Sequence, residues 1–246
     1  MNPINKTGLP NNIWQEIISD KKVRTEITRQ SHLLFFHIYF WDYVKCPTAD
    51  FQKEFFAFTQ DRLLKLLVIE AFRGSSKTTI LSTSNAIWSI LGSPKKKFVL
   101  IVNQTQELAK QSLANIKKEL ETNELLKSDA GPFDEPKDEW RSQSIVLSNH
   151  EARITVVSVD QRIRGIRHGS HRPDLIIVDD LEDLSSIETQ ENRNKTYNWL
   201  MGEIIPAGDP ESQIVVLGNC LHDDSLLMRL RDHIKNGMAG IFRSYP

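Results

Sequence analysis

Cysteine is scarce in this sequence. Two residues in 246, Cys46 and Cys220, stand far apart, too few and too distant for a disulfide framework or a cysteine-based zinc knuckle. Long apolar runs are missing as well. None approaches the roughly 20 residues a bilayer-crossing helix needs, and LIIV at 175–178 has the length of a buried strand. The opening MNPINKTGLPNN lacks the basic-then-apolar pattern of a secretion signal. These absences lead to the expectation of an intracellular, reduced protein with nothing embedded in a membrane. Nor is there an excess of charge of one sign. Thirty-one basic and 32 acidic side chains leave a net charge of −1, so no global positive field marks a nucleic-acid binder and any DNA contact must come from a local patch. Internal repeats and low-complexity tracts are absent.

What is present is an alternation of strand-like and helix-like segments. The hydrophobic content of 39% suffices for one substantial α/β domain. Residues 13–43 carry apolar and aromatic positions at helical spacing, and 48–60 repeats the pattern behind Thr48 and Asp50, both candidate N-caps. Then come apolar LLVIEA at 66–71, helix-like 77–91, apolar 98–102, helix-like 105–121, apolar 174–179, helix-like 188–203, apolar 213–218 and helix-like 224–235. Short continuous apolar strands, each followed by a helix, predict a mainly parallel sheet covered on both faces, with ligands at the carboxyl ends of its strands. Segment 144–159 reads as an antiparallel hairpin turning at Asn149-His150-Glu151-Ala152. The expected division is a helical lead-in over 1–47 and an α/β core over 48–246.

Strand 66–70 runs directly into Ala71-Phe72-Arg73-Gly74-Ser75-Ser76-Lys77-Thr78-Thr79 and a helix, the context a phosphate-binding loop requires. The usual spelling, G-x-x-x-x-G-K-[ST], has glycine where this chain has Ala71 and Ser76. The chemistry survives the change, because backbone N–H groups and the positive end of the helix hold phosphates, Lys77 reaches their outer oxygens and the Thr78 hydroxyl suits Mg²⁺. Arg73 adds a second cation. The competing reading is a plain strand-to-helix turn.

About 100 residues later Asp174-Leu-Ile-Ile-Val-Asp179-Asp180 ends an apolar stretch in two carboxylates, as a Walker B strand does. Asp179 is the candidate for magnesium. Asp180 or Glu182 is the candidate for activating the attacking water, with Asp183 behind them. Taken alone, these acids equally suit a helix N-terminus.

Together these features, with several others in sequence order, resemble the ATPase domain of the phage large terminase subunit. Its phosphate loop is divergent with an arginine beside the glycine, as at Arg73-Gly74, and an aromatic-glutamine element precedes it, as at Phe51-Gln52. A stretch like Arg164-Gly-Ile-Arg-His-Gly-Ser-His-Arg-Pro-Asp174 lies before the acidic strand, and a later strand ends in a small polar motif like Gly218-Asn219. The resemblance covers roughly residues 48–230. It implies a RecA-like P-loop NTPase of the ASCE kind, using ATP and Mg²⁺ to drive double-stranded DNA into a procapsid. In that role Phe51 and Gln52 recognise adenine, Ala71, Arg73, Gly74, Ser75, Ser76, Lys77, Thr78 and Thr79 cradle phosphates, Thr78 and Asp179 serve the metal, and Gly218-Asn219 sense hydrolysis. It further implies portal protein and small terminase subunit as partners, a homo-oligomeric ring when assembled or a monomer in isolation, and action in the host cytoplasm at the portal vertex. The family usually has Gly-Thr at the sensing motif and Asp-Glu at the acidic pair, where this chain has Gly218-Asn219 and Asp179-Asp180. Family members continue into a nuclease domain, so a fragment that keeps the motor and lacks the nuclease is expected.

The cationic stretch holding Arg162, Arg164, Arg167, Arg172, His168 and His171 can supply an arginine finger in trans, with Arg164 and Arg167 preferred, contact DNA, or pair with the acids at 179–183. Gln104 or Thr105 can touch DNA at the end of the second strand, or Thr105 can simply cap a helix. His222-Asp223-Asp224 reads as opening the last helix with a capping carboxylate. Two rival functions remain open: a superfamily-2-like helicase, which calls for a second RecA-like lobe downstream, and a non-catalytic nucleotide-binding scaffold, which predicts binding without turnover.

Overall fold

The computed structural model describes residues 3–133, 139–159, 161, 163 and 165–246. The helical stretch expected over 13–43 is cut into α1 (Asn11–Ser19), α2 (Lys21–Gln30) and α3 (His32–Tyr39). The cuts fall at Asp20 and Ser31, which turn their side-chain oxygens back onto backbone donors. Asp20 accepts from the Lys22 and Val23 amides at 2.7 and 3.2 Å, and Ser31 from the Leu34 amide at 3.3 Å. In α4 (Asp50–Gln60) the expected caps are not used. The N-cap is Ala49, whose amide donates to the Gln52 side chain at 3.1 Å, while the Thr48 hydroxyl meets His37 Nε2 at 2.8 Å.

The strand-helix alternation then follows the sequence pattern closely. The expected strands are β1 (Leu66–Ala71) and β2 (Phe98–Asn103), then the hairpin β3 (Ser144–Leu147) and β4 (Ala152–Ser158), then β5 (Leu175–Asp179) and β6 (Gln213–Gly218). After β1 the chain winds as π-helix over Thr78–Ser84 and continues as α5 (Asn85–Leu91). The later helices are α6 (Gln106–Thr122), α7 (Glu124–Ala130), α8 (Leu184–Ile187), α9 (Gln190–Trp199) and α10 (Leu226–Lys235). A last strand, β7 (Ile241–Tyr245), has no counterpart in the sequence reading. It lies at the sheet's edge with partly exposed residues, so its apolar pattern is weak.

Among the described residues the sheet runs β3-β4-β2-β5-β6-β1-β7, parallel throughout except for the β3–β4 hairpin. Period-two alternation divides each strand between two cores. Leu67, Ile69, Val99 and Ile101 join Trp14, Phe36, Phe56, Leu81, Trp88 and Leu113 on one face; Leu66, Val68, Leu100 and Val102 join Leu200, Ile204, Leu226 and Leu230 on the other. At roughly 1.5–3 kcal/mol for each fully buried aliphatic or aromatic side chain, these two layers outweigh the exposed ion pairs. The lead-in helices thus share a core with the sheet.

Register decides what meets at the strand ends. Glu70 pairs with Gly218, Leu217 with Asp179 and Asp179 with Asn103. With β6 inserted between β1 and β5, the end of β6 separates the phosphate loop from the acidic strand end.

Candidate functional site

The loop after β1 turns through two left-handed residues, Gly74 at φ 87° and Ser76 at φ 66°. Glycine takes that conformation freely. Ser76 occupies it with a Cβ, at the position where the usual pattern has glycine, a strain of order 1 kcal/mol. From α4, Gln52 Nε2 donates to the Ser75 carbonyl at 3.0 Å, tying that helix to the loop. The Ser75 hydroxyl is buried without a hydrogen-bond partner. Beyond the loop the Asn85 amide reaches back five residues to the Ile80 carbonyl, a π-type winding of the kind found at functional sites.

Lys77 is buried. Its ammonium donates to the Ala71 carbonyl at 3.2 Å and to Asn219 Oδ1 at 2.5 Å, so the end of β6 holds the loop's cation. The Thr78 hydroxyl donates to Asp179 Oδ1 at 3.1 Å, reaching past β6 to the end of β5. Asp179 is 3% exposed, and burial pushes its carboxyl up to about 6 against the Thr78 and Ser82 hydroxyls, which pull it down. Its Oδ2 has no hydrogen-bond partner. A buried carboxylate oxygen left unpaired beside a hydroxyl is a donor set that a hard divalent cation satisfies.

Asp180 follows in left-handed backbone at φ 53°, its amide donating to the Leu217 carbonyl at 2.9 Å and its side chain exposed. A Cβ on Gly218 would come within 3.3 Å of Asp180 Oδ1, so glycine at 218 lets this carboxylate lie across the end of β6. Glu182 has a different occupation. Both of its oxygens lie 2.9 Å from the Leu226 amide at the start of α10, and burial raises its pKa although that hydrogen bond opposes the rise. Asp183 caps α8 through the Ser186 amide at 2.8 Å, and the Gln104 side chain is the first cause holding it down at about 2.

The carboxylate cap expected of His222-Asp223-Asp224 does not form, and Asp224 is held elsewhere. Arg229 takes it at 2.7 and 2.8 Å and Arg193 at 3.0 Å, with the Arg229 hydrogen bond foremost in holding it well below the usual carboxylate range. Two guanidinium partners outcompete a backbone amide, and Glu182 takes the capping place. Thr105 caps α6 through the Leu108 amide at 3.2 Å.

Two clefts flank the loop. One, of about 600 Å³, brings together Arg73, Gln104, Asp180, Glu182, Asp183 and Asn219. The other, of about 310 Å³, opens on Gly74, Ser76 and Thr79 and is closed by the 43–48 segment, Gln52, Phe36, Phe56 and Ile80. Phe51 does not line it. Its ring packs 5.6–5.7 Å from those of Phe55, Phe72 and Tyr245, so the aromatic wall comes from Phe36, Tyr43 and Phe56, whose helical spacing marks them as core and nothing more. Arg167 is exposed and lines neither cleft. Arg162 and Arg164 lie outside the described residues.

No family model and no curated protein matches the chain. Among solved structures it is similar to the large terminase of bacteriophage HK97, at 14% identity and a TM-score of 0.53 over 80% of this chain and 39% of that one. The gp11 DNA packaging motor of Phi-28 aligns at 13% identity and TM-score 0.47 over 74% of this chain and 57% of that one. A large terminase from a thermophilic bacteriophage aligns at 9% identity and TM-score 0.46 over 76% of this chain and 41% of that one. The chain therefore shares the fold of the HK97 large terminase, a P-loop NTPase fold, over the aligned residues, and spans about two-fifths of that protein's length.

Proposed function

We propose that this large-terminase-like domain hydrolyses Mg·ATP and uses the free energy to move double-stranded DNA, as the motor part of a phage genome-packaging complex. The observation that carries the reading is the junction of Thr78 with Asp179, beside Lys77 and around an unpaired buried carboxylate oxygen. That junction brings together, from strands separated by β6, the three side chains a nucleoside triphosphate and its metal require.

Lys77 and Arg73 offset charge on the phosphates, and the loop's N–H groups cradle them. Thr78 and Asp179 would hold magnesium, which would offset the negative charge that builds on the phosphate oxygens. Asp180, exposed in the larger cleft, orients the attacking water and takes its proton as the bond to the leaving ADP breaks. Glu182 is already committed to α10, which favours Asp180 for this role. Asn219 exchanges its hold on Lys77 for a response to the outer phosphate and thereby links hydrolysis to β6. Arg164 or Arg167 of a neighbouring subunit completes the site in a homo-oligomeric ring. Portal protein and small terminase subunit are the partners proposed by resemblance, with the ring acting in the host cytoplasm at the procapsid vertex.

The test is magnesium-dependent phosphate release from ATP over a range of protein concentrations, for the wild type beside Lys77→Ala and Asp179→Ala. Turnover that vanishes in both variants and rises faster than linearly with concentration supports an assembled ATPase. Absence of both turnover and ATP binding at every concentration removes the phosphate-loop reading, and binding without turnover leaves a scaffold.

A further inference from the structure

Resting on the phosphate-loop reading above, we infer that Gln52 positions the loop and does not read the nucleotide base. The base is held by apolar stacking, and the site takes adenine and guanine nucleoside triphosphates with little discrimination.

With phosphates on the loop, the base has two clefts to choose from. The larger carries Asp180, Glu182 and Asp183 and suits a metal-bound phosphate and its water. The smaller opens on Gly74, Ser76 and Thr79, has the volume of a small-molecule site, and has the apolar walls Phe36, Val44, Pro47, Phe56 and Ile80. It is the place for a base.

Telling adenine from guanine requires a donor and an acceptor matched to the six-position edge of the purine. Of the other polar side chains of this cleft, Ser76 and Thr79 belong to the loop that takes the phosphates, and two more have partners of their own. The Tyr43 hydroxyl donates to Glu119 at 2.6 Å, and the Thr48 hydroxyl meets His37. Gln52 is the one side chain here with a separate donor and acceptor side by side, and both of its amide atoms face backbone: Nε2 the Ser75 carbonyl at 3.0 Å, Oε1 the Ala49 amide at 3.1 Å. A flipped amide would set donor against donor and acceptor against acceptor, so the two partners fix its orientation. Lys45 and Cys46 are exposed at the rim, and a flexible ammonium is a point charge that either purine accommodates. What remains is stacking on ring faces, which every base offers.

The same hydrogen bonds give Gln52 its work. Drawing the Ser75 carbonyl toward α4 fixes the Ser75–Ser76 peptide, with Ser75 itself flanked by left-handed Gly74 and Ser76, and a trans peptide then aims the Ser76 N–H the opposite way, away from α4. Gln52 sets the direction of a phosphate-cradling donor. It acts through the loop.

The experiment measures, with magnesium and the whole chain, the affinities of AMP-PNP, GMP-PNP and base-free tripolyphosphate for the wild type, Gln52→Ala and Gln52→Met. The wild type is expected to bind the two nucleotides within about threefold, and each variant to weaken all three ligands by a common factor of roughly three to ten, one hydrogen bond's worth. Gln52→Met keeps the side-chain volume, and circular dichroism establishes that both variants are folded. A wild type favouring the adenine nucleotide about a hundredfold, or variants that lose it while keeping tripolyphosphate, would overturn the inference. If the wild type binds none of the three, the phosphate-loop reading itself fails, a result distinct from lost base discrimination.

Discussion

The Lys77 ammonium lies 2.5 Å from Asn219 Oδ1, joining the phosphate loop to the end of β6 across 142 positions of sequence. Under the proposed function, the group that meets phosphate is held by the residue that follows the reporting strand. Asn219→Asp replaces a neutral acceptor with an anion that competes with phosphate for Lys77. Phosphate-release assays should then show ATP turnover at least about tenfold slower, the cost of a charge-assisted hydrogen bond. Asn219→Ser, short but neutral, should lose less.

Asp179 is buried with one oxygen unpaired, a cost that magnesium at the proposed site would relieve. Thermal melting at pH 7.5 should show the wild type stabilised by millimolar magnesium and Asp179→Asn indifferent to it. Without metal that variant should melt higher than the wild type. A wild type unmoved by magnesium with nucleotide present would count against the metal assignment.

Asp180 and Glu182 separate by isosteric amides. An amide oxygen at 182 still accepts from the Leu226 N–H, so Glu182→Gln should keep ATP turnover within about threefold, while Asp180→Asn should lose about a hundredfold or more, the range of general-base removal. Single-turnover phosphate release reads both. The opposite ranking would transfer the base role to Glu182.

Ser76 carries left-handed backbone without being glycine. Ser76→Gly should stabilise the folded chain or leave it unchanged, because the relieved strain of about 1 kcal/mol is partly offset by the greater freedom of glycine in the unfolded state. Chemical denaturation measures the sum. A loss above about 1 kcal/mol would mean that the Ser76 side chain makes a contribution of its own.

His32 is fully buried between Thr59 and Ser84 and stacked on Trp88, and burial pushes its pKa down to about 3 from 6.5. The unfolded chain therefore binds a proton that the folded chain refuses between these values, so stability falls as pH drops below about 6.5 and continues to fall toward 3. Between pH 7.5 and 5 the loss from this residue is about 2 kcal/mol. His37, pushed to about 4 by burial and the nearby Lys6 charge, adds to it. His32→Asn should be less stable at pH 7.5 yet flatter over this interval in urea unfolding.

Much of this was legible in the sequence because it is local. Continuous apolar stretches, each followed by a helix-length segment, announced β1, β2, β5 and β6, and the strand-loop-helix order announced the turn after β1 even with Ala71 and Ser76 in place of glycine. The β3–β4 hairpin followed from its alternation. The cap positions did not. Competition among nearby donors and acceptors chose Ala49 over Thr48 and gave α10 to Glu182 in place of Asp224, and such contests are settled by three-dimensional proximity.

The sequence by itself determined that β strands alternate with helices, that cations and hydroxyls follow the first core strand, and that carboxylates end the fifth, because hydrophobic period and residue chemistry are written along the chain. Only the tertiary structure decided that β6 lies between those strands, that Asn219 therefore meets Lys77, that Gln52 is turned to the Ser75 carbonyl, and that Phe36 and Tyr43 wall the smaller cleft. Strand order and side-chain partnership depend on which of many distant surfaces pack together, and that choice belongs to the whole core.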